Sequence, residues 1–188
     1  MTGRAFSRRA WLLASLLPSC ARRAPLPIYN SVPPFTLTNQ AGMAFDGALL
    51  KGSPWLASFF FASCNGPCPR MNTALFQVQE RTYGYKNLKI VSFTVDPEHD
   101  TPEVLAAYAK RYKADPARWQ LLTGERGTIS ALARDAFLVG ALDTAQSHST
   151  RVMLVDGRSR VRGHFPVNEK EEVDSLLAGI QAVYEEGH

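Results

Sequence analysis

Two apolar runs set the skeleton of the chain. Residues 54–61 (PWLASFFF) and 88–95 (LKIVSFTV) are of strand length and apolar almost throughout, the pattern of strands buried on both faces. Between them, residues 71–82 have helical spacing, with Leu75 and Val78 on one face and Gly84 as a stop. After the second run, residues 96–100 read as a loop. Thr101 is placed to cap a helix, Pro102 to open it and Glu103 to sit in its acidic first turn, and Leu105, Tyr108 and Tyr112 line one face. Residues 119–122 predict a strand and 128–137 a short helix. Residues 151–155 and 159–165 predict a hairpin around Asp156-Gly157. Asn168 is placed to cap a last helix, with Glu171 three residues on and an apolar stripe of Val173, Leu176, Leu177, Ile180, Val183 and Tyr184. Two short strands, 35–38 and 43–45, flank a turn at 39–42 at the start of the domain. Alternating strands and helices followed by a hairpin predict an α/β fold, a mixed sheet with helices on both faces. In such a sheet the reactive site lies beyond the carboxyl end of a strand. Cys64 and Cys68 follow the first buried run at that position.

Composition narrows the class. The chain has 188 residues, 45% apolar and 10% aromatic, enough for one packed domain with a leader and too apolar for bulk disorder. No stretch approaches the roughly 20 apolar residues of a membrane-spanning helix. The net charge of +4 raises the question of nucleic acid, but the charge is unevenly placed. Arg4, Arg8 and Arg9 precede a short apolar run from Trp11 to Leu17, with no acid before Cys20. This is the layout of an export signal. Residues 7–12 resemble a twin-arginine motif, and residues 17–20 (LPSC) resemble a lipobox whose cysteine, Cys20, becomes lipid-modified. Pro18 is atypical there, and ordinary cleavage nearby or an uncleaved anchor are the other readings. Cutting before Cys20 removes three arginines and no acid, so the charge falls from +4 to +1. A nucleic-acid partner is therefore not expected. The organisation predicted is an export signal over 1–19, a proline-rich tether over 20–33 and the domain over 34–188, held on the outer face of a bacterial cytoplasmic membrane.

Export places the thiols where oxidation is possible. With three cysteines in all and Cys20 assigned to the leader, Cys64 and Cys68 remain as a pair. If Cys68 opens the helix, the positive end of that helix favours thiolate, and Pro67 and Pro69 stiffen the backbone around it. Such a pair could form a structural disulfide, exchange with another disulfide, or grip a soft metal. Zinc would want four ligands, whereas copper(I) is content with two thiolates and one imidazole. Of the four histidines, His188 is terminal, His99 lies in a polar loop, and His164 falls on the hairpin. His148, in a polar loop before a buried strand, is the candidate third ligand.

Residues 59–69 (FFFASCNGPCP), 95–102 (VDPEHDTP) and 147–149 (SHS), in this order, resemble the Sco/SenC family, and residues 34–42 (PFTLTNQAG) are similar to its usual opening. The resemblance spans residue 33 to about 183. It implies a thioredoxin-like fold: a mixed sheet flanked by helices, with an N-terminal strand extension and a late β-hairpin. It implies copper, as Cu(I) or Cu(II), held by Cys64, Cys68 and His148. It further implies delivery to, or thiol reduction of, the dinuclear copper site of cytochrome c oxidase, with that copper-bearing subunit as partner and the membrane as anchor point. Asp96, Pro97, Asp100 and Thr101 match the second motif as groups that shape the surroundings of the site, plain helix capping being the alternative for Asp100 and Thr101. The chain departs from the family at Asn65, where Pro is frequent, and at Arg70, where Asp is frequent. A basic Arg70 would favour thiolate. The rival functions are a thiol–disulfide oxidoreductase that needs Cys64 and Cys68 but not His148, and a peroxidase-like enzyme with Cys64 as nucleophile.

Overall fold

The computed structural model describes residues 24–85, 87–139 and 151–187. The leader, Cys20, His148 and His188 lie outside the described residues. Seven strands form one mixed sheet: β1 (Thr36–Asn39), β2 (Ala44–Asp46), β3 (Trp55–Phe60), β4 (Lys89–Thr94), β5 (Trp119–Thr123), β6 (Arg151–Val155) and β7 (Val161–Pro166). Their order across the sheet is β2-β1-β5-β4-β3-β6-β7. β3, β4 and β5 run parallel, while β1, β2, β6 and β7 add antiparallel flanks. The two apolar runs are thus the central parallel pair, in register from Trp55 opposite Lys89 to Phe60 opposite Thr94.

The four helices are α1 (Cys68–Arg81), α2 (Pro102–Arg111), α3 (Arg126–Ala131) and α4 (Lys170–Glu185). Alternate residues of each central strand feed opposite faces of the sheet. Leu56, Phe60 and Ile90 pack with Leu75 and Val78 of α1, Leu105 of α2 and Leu176 and Ile180 of α4. On the other face Trp55, Phe59, Val91 and Phe93 pack with Ile129 of α3 and with Leu132 and Phe137 beyond it. Burying each such side chain contributes about 1.5–3 kcal/mol. Among the described residues no helix is long and apolar enough to cross a membrane.

Several local expectations shift. The last helix is capped one residue later than expected. Glu172, not Glu171, reaches back, its Oε2 accepting from the Asn168 and Glu169 backbone N–H groups at 2.7 and 3.1 Å. The helix expected over 128–137 is regular only to Ala131 and then widens over Leu132–Ala136, closed by the Phe137 N–H on the Leu132 carbonyl at 3.0 Å. The hairpin turn is longer than a two-residue Asp-Gly loop, because Asp156 organises it as a buried anion. Its Oδ1 accepts from the backbone N–H groups of Arg158 and Arg160, and its Oδ2 pairs with Arg160 and Arg162.

Arg162, only 3% exposed, extends that network. It donates to the carbonyls of Leu26 (2.6 Å) and Pro27 (3.1 Å) and to Glu186 of α4 (2.7 Å). Tyr29 and Val32 donate from their backbone N–H groups to Val161 and Ser159. Half of the proline-rich stretch therefore lies along β7 as part of the folded body. Burial opposes the Asp156 charge, yet Arg160, Arg162 and the turn's N–H groups hold its carboxyl below the usual range. Asp156→Ala leaves Arg162 buried with only one of its two carboxylate partners and is expected to lower unfolding free energy by about 3 kcal/mol. Urea denaturation of the two proteins measures the difference.

Candidate dithiol site

The parallel order of β3, β4 and β5 brings three connections to one edge of the sheet: 61–67 with Cys64, 95–101 with the second motif, and the entry to α3. Cys68 is the first residue of α1, and Pro69 follows in the first turn, where its missing N–H costs nothing. Both cysteines are free thiols. Cys64 is 7% exposed and Cys68 1%, and both belong to the apolar cluster beneath α1 and α2. The two sulfurs share that cluster, near enough for Cys64 to act on the Cys68 thiol. Gly66 stands beside Cys64: a Cβ there would meet the Cys64 Sγ at 4.0 Å, an ordinary contact.

The expectation that the helix start would favour thiolate at Cys68 is corrected by the burial of its sulfur. Desolvation, then the hydrogen bond and charge of Cys64, push the Cys68 thiol up to about 12, against the pull of the Phe61 and Cys68 backbone N–H groups. Nor does Arg70 act as the thiolate partner expected of it. It is exposed and lines an open groove of about 380 Å³ between α1 and the start of α4, with Thr73, Val167 and Lys170.

Of the second-motif residues, Asp100 reaches the cysteine loop. It is 2% exposed. Its Oδ2 accepts from the Ala62 backbone N–H at 3.0 Å and from the Thr94 hydroxyl. The end of β3, the end of β4 and the start of α2 are thereby tied at one oxygen, two residues before Cys64. Burial, relieved in part by the two donors, raises the Asp100 carboxyl above its ordinary range. Asp96 donates its backbone N–H to Thr94 Oγ1 at 3.0 Å, and its carboxylate faces His99 Nδ1 at 2.9 Å. That contact raises the exposed His99 imidazole above its usual range. Pro97 is half-buried in the same loop. The Thr101 hydroxyl serves the start of α2, accepting from the Val104 N–H at 3.5 Å and donating to Glu103 Oε2 at 2.8 Å. His164 is held at its Nε2 by the Phe137 carbonyl at 2.9 Å and stands edge-on to Tyr29.

Sequence reading passed over two buried polar groups here. Asn72 Nδ2 donates to the Cys68 carbonyl at 3.0 Å and to Tyr108 Oη at 2.8 Å. The Tyr108 ring stacks on Phe60 at 5.0 Å. The available signal was the four-residue spacing from Cys68 to Asn72, which places the amide over the cysteine on one helix face. Among the described residues no third His, Cys, Asp or Glu completes a metal-binding group. Two soft sulfur donors, side by side and free of a disulfide, suit a soft monovalent ion such as copper(I) and would leave a third position to a residue outside the described segments.

The family model SCO1/SenC matches residues 25–185, and the chain belongs to that family. A protein of Stutzerimonas stutzeri named for copper binding is 30% identical over 170 residues, covering 84% of this chain and 77% of that one. The SCO1 protein homolog of Bacillus subtilis (strain 168) is 37% identical over 99 residues, 52% of this chain, a match that spans about half (51%) of that relative. The fold is the thioredoxin-like one of solved Sco structures. A SCO1/SenC family lipoprotein from Bacillus anthracis superposes with a TM-score of 0.77 at 28% identity, covering 87% of this chain and 99% of that one. BsSco, described as a member of the Sco family of cytochrome c oxidase assembly proteins with a disulfide switch, gives 0.74 at 27%, covering 85% and 98%. Copper-bound ScoI of Bradyrhizobium japonicum gives 0.62 at 25%, covering 80% and 99%.

Replacing Asp100 separates its hydrogen bonds from its charge. Asp100→Ala strands the Ala62 N–H and the Thr94 hydroxyl and is expected to cost about 1–3 kcal/mol. Asp100→Asn keeps an acceptor oxygen without the buried charge. Because the folded-state pKa is raised, the parent binds the proton more readily folded than unfolded, so its stability relative to Asp100→Asn rises as pH falls through that raised pKa toward the ordinary carboxylate value. Thermal unfolding of both proteins between neutral pH and pH 4 reads this difference.

Proposed function

We propose that this chain is an exported copper chaperone that binds copper through the Sγ atoms of Cys64 and Cys68 and a nitrogen of His148. In this reading it delivers the metal to the dinuclear copper site of a cytochrome c oxidase subunit. The observation that carries the reading is the pair of buried, free thiols in one cluster at the carboxyl edge of the sheet. Family membership, the copper named for the Stutzerimonas relative and the Bradyrhizobium structure, and the assembly role stated for BsSco support the cargo and the partner. The leader read above and the Bacillus anthracis lipoprotein support attachment through Cys20 outside the cytoplasmic membrane.

The chemistry follows from the burial. A protonated Cys68 must release its proton to solvent as the incoming cation takes its place on the sulfur, so binding exchanges H⁺ for copper in a site largely closed to water. Uptake of a disulfide from a partner would work in the opposite sense. The two protein thiols lose two electrons and two protons and become a disulfide, the partner's disulfide becomes two thiols, and copper loses both sulfur ligands. Redox state thereby gates release. The free dithiol also supports a second reading, a thiol–disulfide oxidoreductase that acts on the partner's cysteines without carrying metal.

His148 separates the two readings. His148→Ala is expected to retain tight copper(I) binding by the two thiolates and to bind copper(II) at least about tenfold more weakly, through loss of the imidazole ligand. Competition titrations with chelators of each oxidation state measure this. Unchanged copper(II) affinity would remove His148 from the ligand set, and full oxidase assembly in cells carrying the variant would favour the oxidoreductase.

A further inference from the structure

Asn72 is a polar side chain in an apolar setting, 1% exposed and surrounded by Met71, Leu75 and the α2 face. An apolar residue of similar volume would fill the space without the cost of burying an amide. Both hydrogens of its Nδ2 are in use, one on the Cys68 carbonyl at 3.0 Å and one on Tyr108 Oη at 2.8 Å. Tyr108, 7% exposed and anchored on Phe60 at the end of β3, packs its ring against Tyr112 with centroids 4.8 Å apart. A single polar thread therefore runs from the backbone of Cys68 in α1 to the Tyr108 phenol of α2.

That thread holds the turn that carries Cys68. A disulfide brings two sulfurs to about 2.05 Å with a restricted torsion, so closing the pair depends on how far the side chains, the 61–67 loop and the first turn of α1 can adjust. Asp100 pins the loop at Ala62, and Asn72 pins the turn at Cys68. We infer that Asn72 and Tyr108 are positioning residues for the Cys64–Cys68 pair, holding the first turn of α1 in the dithiol arrangement and so setting how readily the pair oxidises. The inference rests on the reading of this pair as a redox-gated copper dithiol.

The test is the equilibrium of the metal-free protein with mixtures of glutathione and glutathione disulfide. In that reaction the protein's two thiols give two electrons and two protons to glutathione disulfide, yielding the protein disulfide and two glutathione thiols. Tyr108→Phe and Asn72→Leu are each expected to move the equilibrium constant toward the protein disulfide by about tenfold, the size of effect that loss of one buried hydrogen bond produces, equivalent to about 30 mV for this couple. Tyr85→Phe removes a hydroxyl from the same apolar cluster, where Tyr85 packs on Tyr184, and is expected to leave the constant unchanged. A purely structural role would lower the melting temperature of the oxidised and reduced forms alike without moving the constant. An unchanged constant in Tyr108→Phe, which loses a single oxygen and should fold, overturns the inference, as does an equal shift in Tyr85→Phe. Because no copper enters the measurement, a parent protein that fails to bind copper would instead overturn the chaperone reading.

Discussion

Cys68 stands at the first position of a helix whose backbone N–H groups would welcome a negative sulfur, yet the sulfur is turned into the apolar cluster beneath α1 and α2. Desolvation there exceeds the favourable field of the helix start and keeps the thiol protonated. The rest of the site depends on that balance. A buried thiol of this kind is a poor nucleophile toward water-borne oxidants, but with Cys64 beside it the site offers two soft donors to a cation that can shed its own hydration. In the proposed function, one copper(I) displaces the two thiol protons to solvent, and its single positive charge is shared by both sulfurs.

A site of this kind needs its two sulfurs held in place by something other than a covalent bond between them. The fold supplies the hold from neighbouring strand ends. Asp100, at the end of the loop after β4, grips the backbone two residues before Cys64, and Asn72 grips the carbonyl of Cys68 itself. Both are nearly fully buried, and both trade the cost of burial for saturated hydrogen bonding. The opposite end of the sheet is stabilised differently. There the Asp156–Arg162–Glu186 network fastens the hairpin, the last helix and residues 26–27 together. This places residues 26–27 alongside β7, at the edge of the sheet farthest from β2.

Much of this was legible in the amino-acid pattern, for identifiable reasons. The runs 54–61 and 88–95 are apolar on both faces because β3 and β4 are central and covered by helices on both sides, so no alternation was needed to find them. Thr101, Pro102 and Glu103 announced α2 because capping is a local property. The cysteine pair fell at the carboxyl end of β3, where α/β sheets collect their chemistry. What escaped was long-range. The direction of the Cys68 sulfur depends on α2 and the end of β3, not on its own helix. Asn72 is unremarkable until Tyr108 arrives from another helix. Residues 26–32 read as a tether because prolines suppress any strand pattern, and what draws them in is distant: the buried Arg162 on the carbonyls of Leu26 and Pro27, and backbone hydrogen bonds between residues 29–32 and 159–161.

Copper stoichiometry of the reduced protein tests the central claim most directly, with the sulfur content of the first coordination shell read by X-ray absorption. The account predicts one copper(I) per chain with two sulfur neighbours, and loss of tight binding in Cys64→Ala. Substoichiometric copper, or a Cys64→Ala variant that binds as the parent does, would contradict it.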